Sequence, residues 1–173
     1  MVLYQYHMTF MKRLLLIRHA KAVHDTAYED FERPLKKSGM ADALTMAERL
    51  KSEGIIPQIL ITSTSLRTQA TADIITEHLS MSKAHQDKNI YEASYHNLIS
   101  IINRFDDKYD FIGLVGHNPS LIQAVDYFTG ESPDFPPGAI ALIDFEFDEW
   151  KLLSADTGNL KWYSNPKEDQ LRQ

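Results

Sequence analysis

The sequence predicts an α/β protein: a three-layer α/β/α sandwich with a mostly parallel central sheet and antiparallel strands at its C-terminal edge. Two patterns carry that expectation. Short apolar runs of strand length alternate with stretches whose apolar residues recur at helical spacing, the pattern of strand–helix–strand units. From about residue 139 the helices stop. There AIALIDFEF, then WKLLSAD, a Thr-Gly-Asn turn and LKWY read as a strand followed by a hairpin. No repeat, low-complexity tract or linker interrupts the 173 residues, so a single domain over 1–173 is expected. Residues 1–11 are read as an N-terminal extension, with Met11, directly ahead of the first apolar run, as an alternative to Met1 for the start of translation.

The first strand is placed at residues 13–18, RLLLIR, and a polar loop containing DTAYEDFERPL runs on to about Pro34. From about Lys36 to Glu53, Met40, Ala43, Leu44, Ala47 and Leu50 recur at helical intervals and are expected on the inner face. Gly54 ends that helix, because glycine takes the left-handed cap conformation without steric penalty. Residues 59–62 form a second strand. Ser65 is the expected cap of a helix to about Leu79, with Leu66, Ala70, Ile74 and Ile75 turned inward. A polar connection and a short segment at 89–91 lead to a helix marked by Leu98, Ile101, Ile102 and Phe105. Residues 111–115 make another strand. Asn118 is then the expected cap, and Pro119 a first-turn residue, of a helix ending near Gly130.

Composition narrows the function. A net charge of −6 argues against nucleic-acid or anionic-membrane binding, which relies on basic surface. A small anionic substrate needs only a local cluster of cations and stays open. With no cysteine, disulfides, thiolate catalysis and Cys-ligated zinc are excluded, and a cytoplasmic location is expected. No apolar run approaches the roughly 18 residues of a membrane span. The segment MVLYQYHMTF lacks the basic start and cleavage site of a signal peptide.

Three of the expected strands end in unusual chemistry. Arg18-His19 follows the first, Ser63 and Arg67 the second, and Gly116-His117 the third. Ligands of open α/β sheets bind at the carboxyl ends of the strands, so Arg18, His19, Arg67 and His117 are expected to converge there. Two arginines and two histidines suit an anion, and phosphate first, since the guanidinium fork pairs with two of its oxygens. Phosphoryl transfer requires charge stabilisation and in-line positioning, and a neutral imidazole is a competent nucleophile toward phosphorus. Any one of these residues alone reads more simply as a surface group. Their joint placement after three strands is what carries weight. His7, His24, His78, His85 and His96 lack that placement and are read as surface or loop residues. Asp25, Glu29 and Asp30 are expected to face solvent or to pair with nearby basic groups. The spacings of zinc sites, P-loops and nucleophile elbows are all absent.

Taken together, these stretches resemble the histidine phosphatase superfamily, and within it the small SixA-type phosphohistidine phosphatases. LLLIRHAKA is similar to that branch's opening, with Ala20 where other relatives carry glycine. ERPLKKSG resembles its Arg-Pro-Leu segment, and VGHNPSL its second-histidine motif. ITSTSLRTQATA resembles a Ser-x-x-x-Arg-x-x-Gln-Thr-Ala pattern, with Ser63, Arg67 and Gln69 present, and departs from it in having Ala70 ahead of Thr71. The resemblance runs from about residue 12 to 166, the expected core. It implies a phosphoglycerate mutase-like fold and a His19 that becomes transiently phosphorylated. Arg18, Arg67 and His117 would hold the phosphoryl group, and no metal or other cofactor is implied.

Around that centre, Arg33 either borders the pocket or orders its loop through Asp30 or Glu32, and the structural role is preferred. Ser63 is read as orienting its loop. Glu92 is the candidate general acid, although a solvent-facing loop position is its simpler reading. Phosphohistidine leaves through nitrogen and asks less of an enzyme acid than an ester does. The leading expectation is therefore a metal-independent phosphatase for phosphohistidine in proteins. The rivals are a phosphatase for small phosphate esters and a non-catalytic phosphate or phosphoprotein binder. The partner is a phosphohistidine-bearing protein or a small phosphorylated substrate, and the sequence does not specify an oligomeric state.

Overall fold

The computed structural model describes residues 11–168, so the expected N-terminal extension lies outside the described residues except for Met11. The elements follow as β1 (Lys12–Arg18), α1 (Lys37–Ser52), β2 (Ile59–Thr62), α2 (Leu66–His78), β3 (His85–Gln86), α3 (Tyr95–Ile102), β4 (Phe111–Gly116), α4 (Ser120–Thr129), β5 (Ile140–Phe145) and β6 (Gly158–Ser164). They build one six-stranded sheet in the order β3-β2-β4-β1-β5-β6. The β3, β2, β4 and β1 strands run parallel, while β5 and β6 add antiparallel.

Strand β1 shows how the sequence makes three layers. Its apolar run is buried on both sides of the sheet, as expected of an interior strand. Leu14 and Leu16 pack with residues of α3 and α4 and with Trp150, whereas Leu15 and Ile17 pack with residues of α1 and α2. All four are at most 1 % exposed, and each such side chain contributes about 1.5–3 kcal/mol by leaving water. The strand bearing Arg18 at its end is therefore held by both halves of the core.

The inner faces of two helices differ from expectation. In α1 the buried residues are Gly39, Ala43, Met46, Ala47 and Leu50, while Met40 and Leu44 are 45 % and 43 % exposed. Gly39 sets this rotation. A Cβ there would stand 2.2 Å from the Lys21 carbonyl oxygen, so the first turn of α1 packs directly on the backbone after β1. The neighbouring Met40 is thereby turned outward. Gly39→Ala is expected to destabilise the fold by about 1–3 kcal/mol, since a backbone carbonyl cannot rotate away as a side chain can. Urea denaturation would measure it, and an unchanged midpoint would contradict the packing.

In α2 the buried face carries Arg67, Thr68, Thr71, Ala72, Ile75 and Thr76, whereas Leu66 is exposed and Ala70 and Ile74 are only partly covered. Apolar spacing misled here because the hydroxyls find partners inside. Thr68 Oγ1 donates to the Ser63 carbonyl oxygen at 2.9 Å, and Thr71 Oγ1 to that of Arg67 at 2.8 Å. Thr71 Oγ1 also accepts from the Ala20 N–H at 3.1 Å. The threonine of the motif thus ties α2 to the residue after His19.

Smaller departures follow the same logic. Ser65 occupies the N-cap of α2, but its hydroxyl meets Thr68 Oγ1 rather than a helix N–H. Asn118 does not cap α4. Pro119 takes that position, and the Asn118 amide donates instead to the Phe135 carbonyl oxygen at 2.9 Å. The WKLLSAD stretch is not a strand. Trp150–Leu152 form a 3-10 turn, because the indole is fully buried against Phe105 and donates to the Tyr109 carbonyl oxygen. The hairpin partner of β6 is β5 itself. Gly54 and Gly130 take positive φ just beyond α1 and α4, as the sequence predicts for the first and matches for the second.

Candidate active site

The carboxyl ends of β1, β2 and β4 open on a common cavity of about 390 Å³. Its lining includes Arg18, His19, Arg67 and His117, so the four residues expected to converge do meet. Arg33 and Glu92 line it too, and Ser63 stands directly behind His117.

His19 is 9 % exposed, and its hydrogen bonds assign its proton. Nδ1 lies 2.8 Å from the Ala20 carbonyl oxygen, which can only accept, so Nδ1 carries the hydrogen. The Nε2 lone pair is left facing Arg67, whose Nε donates to it at 3.3 Å. His117 is arranged the other way. Its Nδ1 accepts from Arg67 Nη2 at 3.4 Å, so its proton sits on Nε2, 2.9 Å from Ser63 Oγ. The two imidazoles are 5.3 Å apart, centroid to centroid, and tilted by 58°. Arg18 Nη1 donates to the Phe135 carbonyl oxygen at 2.9 Å, while its buried Nε makes no hydrogen bond within the described residues.

Arg67 is held from behind. Its Nη1 donates to the Asp30 carbonyl oxygen at 2.6 Å and its Nη2 to Asp30 Oδ2 at 3.1 Å. Asp30 comes from a 3-10 turn, Asp30–Glu32, and is itself fixed by Tyr91 Oη at 2.7 Å and by Arg33 Nε and Nη2 at 3.0 and 2.9 Å. This engages the Nη1–Nη2 edge of the guanidinium and turns the Nε–Nη2 edge toward the two histidines. The Tyr91 ring packs edge-on against His117 at 5.7 Å and Phe31 at 5.0 Å.

Electrostatics keep both imidazoles neutral. Burial is the main cause pushing His19 down to about 3, partly opposed by its bond to Ala20 and reinforced by His117, Arg67 and Arg18. Burial and Arg67 push His117 down to about 4, with Asp30 opposing. The Tyr91 hydrogen bond is the leading cause that brings Asp30 down to about 2. Burial, then Asp30, takes Tyr91 up to about 12. Burial also lowers Arg18.

The His19 shift predicts an acid-sensitive fold. Its folded value is depressed, so between about 3 and 6.5 the unfolded chain binds a proton that the folded chain refuses. The contribution is complete above pH 6.5 and declines as pH falls toward 3, by up to about 1.4 kcal/mol per pH unit. Urea midpoints at pH 7 and pH 5 should separate in the native protein, and separate less in His19→Gln. Equal separations would contradict the assignment.

Several lining residues had no functional reading in the sequence. Asp30 pairs with basic neighbours as expected, but one of them is Arg67 at the centre of the cavity. Arg33 both borders the cavity and orders the loop through Asp30. His24, read as a loop residue, is exposed and lines the cavity, as do Lys21 and Lys36. The two lysines sit inside the RHAKA and RPLKK stretches, which was their only signal. Tyr91 had none. Among the described residues no group of three His, Cys, Asp or Glu side chains is placed to hold a metal ion. No helix there is long and apolar enough to cross a membrane.

Known proteins match this chain in sequence and in fold. A chloroplastic, uncharacterised protein of Arabidopsis thaliana is 27 % identical over 162 residues, covering 87 % of this chain and 74 % of its own. A structure from Agrobacterium tumefaciens, provisionally described as the phosphohistidine phosphatase SixA, superposes with a TM-score of 0.78. It is 23 % identical, over 90 % of this chain and 98 % of its own. The protein histidine phosphatase SixA in complex with tungstate superposes with a TM-score of 0.73 and 22 % identity, over 89 % of this chain and 97 % of its own. The sequence model of the histidine phosphatase superfamily, branch 1, matches residues 14–110, a span that holds Arg18, His19, Ser63, Arg67 and Glu92 but ends before His117. More than half of the chain is covered, and on that match the protein belongs to the histidine phosphatase superfamily, branch 1.

Proposed function

We propose that this member of the superfamily is a metal-independent phosphatase that removes the phosphoryl group from phosphohistidine in proteins, with His19 as nucleophile. One observation carries the reading: the neutral Nε2 of His19 is presented to the face of Arg67 that His117 also flanks. Family membership and the likeness to SixA structures support it.

In the first step Nε2 of His19 attacks phosphorus, and the bond from phosphorus to the substrate imidazole breaks. Its electron pair leaves with that nitrogen, which is protonated from solvent or by Glu92, the candidate acid at the cavity wall. Arg18 and Arg67 hold the equatorial oxygens, supplying the charge stabilisation that phosphoryl transfer needs. Ala20 keeps the proton on Nδ1 of the phosphorylated ring. His117 becomes a donor once an anion arrives, because the Ser63 hydroxyl donates to Nε2 as readily as it accepts, and the proton is then carried on Nδ1. Water attacks phosphorus in the second step, phosphate leaves, and His19 returns to its neutral form.

The test is turnover of a phosphohistidine-bearing protein against a panel of small phosphate esters, with and without EDTA. Preferential release of phosphate from the phosphoprotein, unaffected by EDTA, is expected. Activity lost in EDTA would end the metal-independent mechanism, preference for the esters would move the substrate to the rival class, and no turnover would leave a binding module.

A further inference from the structure

The cavity is larger than one phosphoryl group requires, and its lining holds cations beyond Arg18 and Arg67. The segments after β1 and before α1 run side by side through an antiparallel bridge between Ala22 and Leu35. The Lys36 N–H donates to the Lys21 carbonyl oxygen at 2.9 Å, and that of Val23 to Pro34 at 2.8 Å. In this register Lys21 and Lys36 are directly opposite, Leu35 is turned into the core, and both lysines line the cavity together with Ala22. Like charges opposite one another in a ladder are destabilising, so the pairing has no structural benefit of its own. Lys21 is relieved by Asp42 at 3.0 Å. Lys36 makes no ion pair among the described residues.

Two further groups, Arg33 and His24, line the same cavity. Arg33 Nη1 donates to His24 Nδ1 at 3.1 Å, which leaves the His24 Nε2–H as a donor. The lining as a whole sets Arg18, Lys21, Arg33, Lys36 and Arg67 against only Asp30 and Glu92, in a protein whose net charge is −6. A phosphoryl group engages Arg18 and Arg67 and Asp42 answers Lys21, which leaves Lys36 without an acidic partner among the described residues.

We propose that Lys36, with Lys21 opposite it and His24 on the same cavity wall, forms a second anion subsite that takes a carboxylate carried by the substrate next to its phosphoryl group. This rests on the reading of the cavity as a phosphoryl site. It deepens that reading by assigning a preference for phosphohistidine with an acidic side chain nearby. The carboxylate and the phosphoryl group would occupy the same cavity, so one ligand can meet both sets of cations.

The experiment compares two probes of equal length, 3-phosphonopropionate and propylphosphonate, by calorimetry on the full chain at two salt concentrations. The native protein should bind the carboxylate probe about tenfold more tightly. In Lys36→Ala the two affinities should come within about twofold of each other, while propylphosphonate binding stays near the native value. Circular dichroism checks the fold of the variant. Equal affinities in the native protein, or a preference that survives in both Lys36→Ala and Lys21→Ala, would overturn the subsite alone. If neither phosphonate binds, the phosphoryl reading falls and the subsite with it.

Discussion

His19→Ala is expected to reduce turnover by about 10⁴-fold or more, the scale on which removal of a covalent nucleophile is felt. It should also abolish the acid-labile phosphoenzyme that rapid quenching of the native protein is expected to trap. The remaining imidazole of the pair, His117, has Nε2 engaged with Ser63 Oγ and, in the proposed mechanism, turns Nδ1 to the phosphoryl oxygens as a donor, so it is not expected to take over the first step. The variant should fold, because the lost ring is one that the folded state holds neutral at a cost in acid and not in neutral solution. A His19→Ala protein that kept more than about a tenth of native turnover would show that water attacks the substrate directly, with His19 a bystander.

Arg67→Lys carries the second large effect, a fall of about 10²–10³-fold in kcat/KM, with the fold retained. The substitution keeps the positive charge and so isolates geometry. Lysine is a point charge on a flexible stem, whereas the arginine fork presents two parallel N–H groups. Here the Nη1–Nη2 edge is fixed on Asp30, so the Nε–Nη2 edge is aimed before any substrate arrives. A lysine cannot hold Asp30 and face both histidines at once. Steady-state kinetics on a phosphohistidine protein would measure the loss, and a change under about fivefold would mean that charge alone suffices.

The fold class and the central residues were legible because both depend on local sequence. Apolar runs of strand length are followed at once by Arg18-His19, Ser63 and Gly116-His117, and parallel pairing brings those ends to one edge. The rest depends on which loop lies over which. Tyr91 reaches Asp30 across 61 residues, and no periodicity announces that. Lys21 and Lys36 meet through a bridge between two irregular segments. Amphipathic spacing failed where a helix faces polar ground, as in α2, or where one close approach sets its rotation, as at Gly39 in α1.

Strand β1 is paired along its length on both sides, and the amide of His19 itself donates to the Gly116 carbonyl oxygen. The rim opposite is made of 3-10 turns and a single bridge. In terms of hydrogen exchange, His19 is expected in the part of the molecule that opens only when everything opens, and the rim in the part that opens by itself. A lineage with this division can vary rim positions such as Glu32 and Lys88 one at a time, but not Asp30 or Tyr91, which set the aim of Arg67.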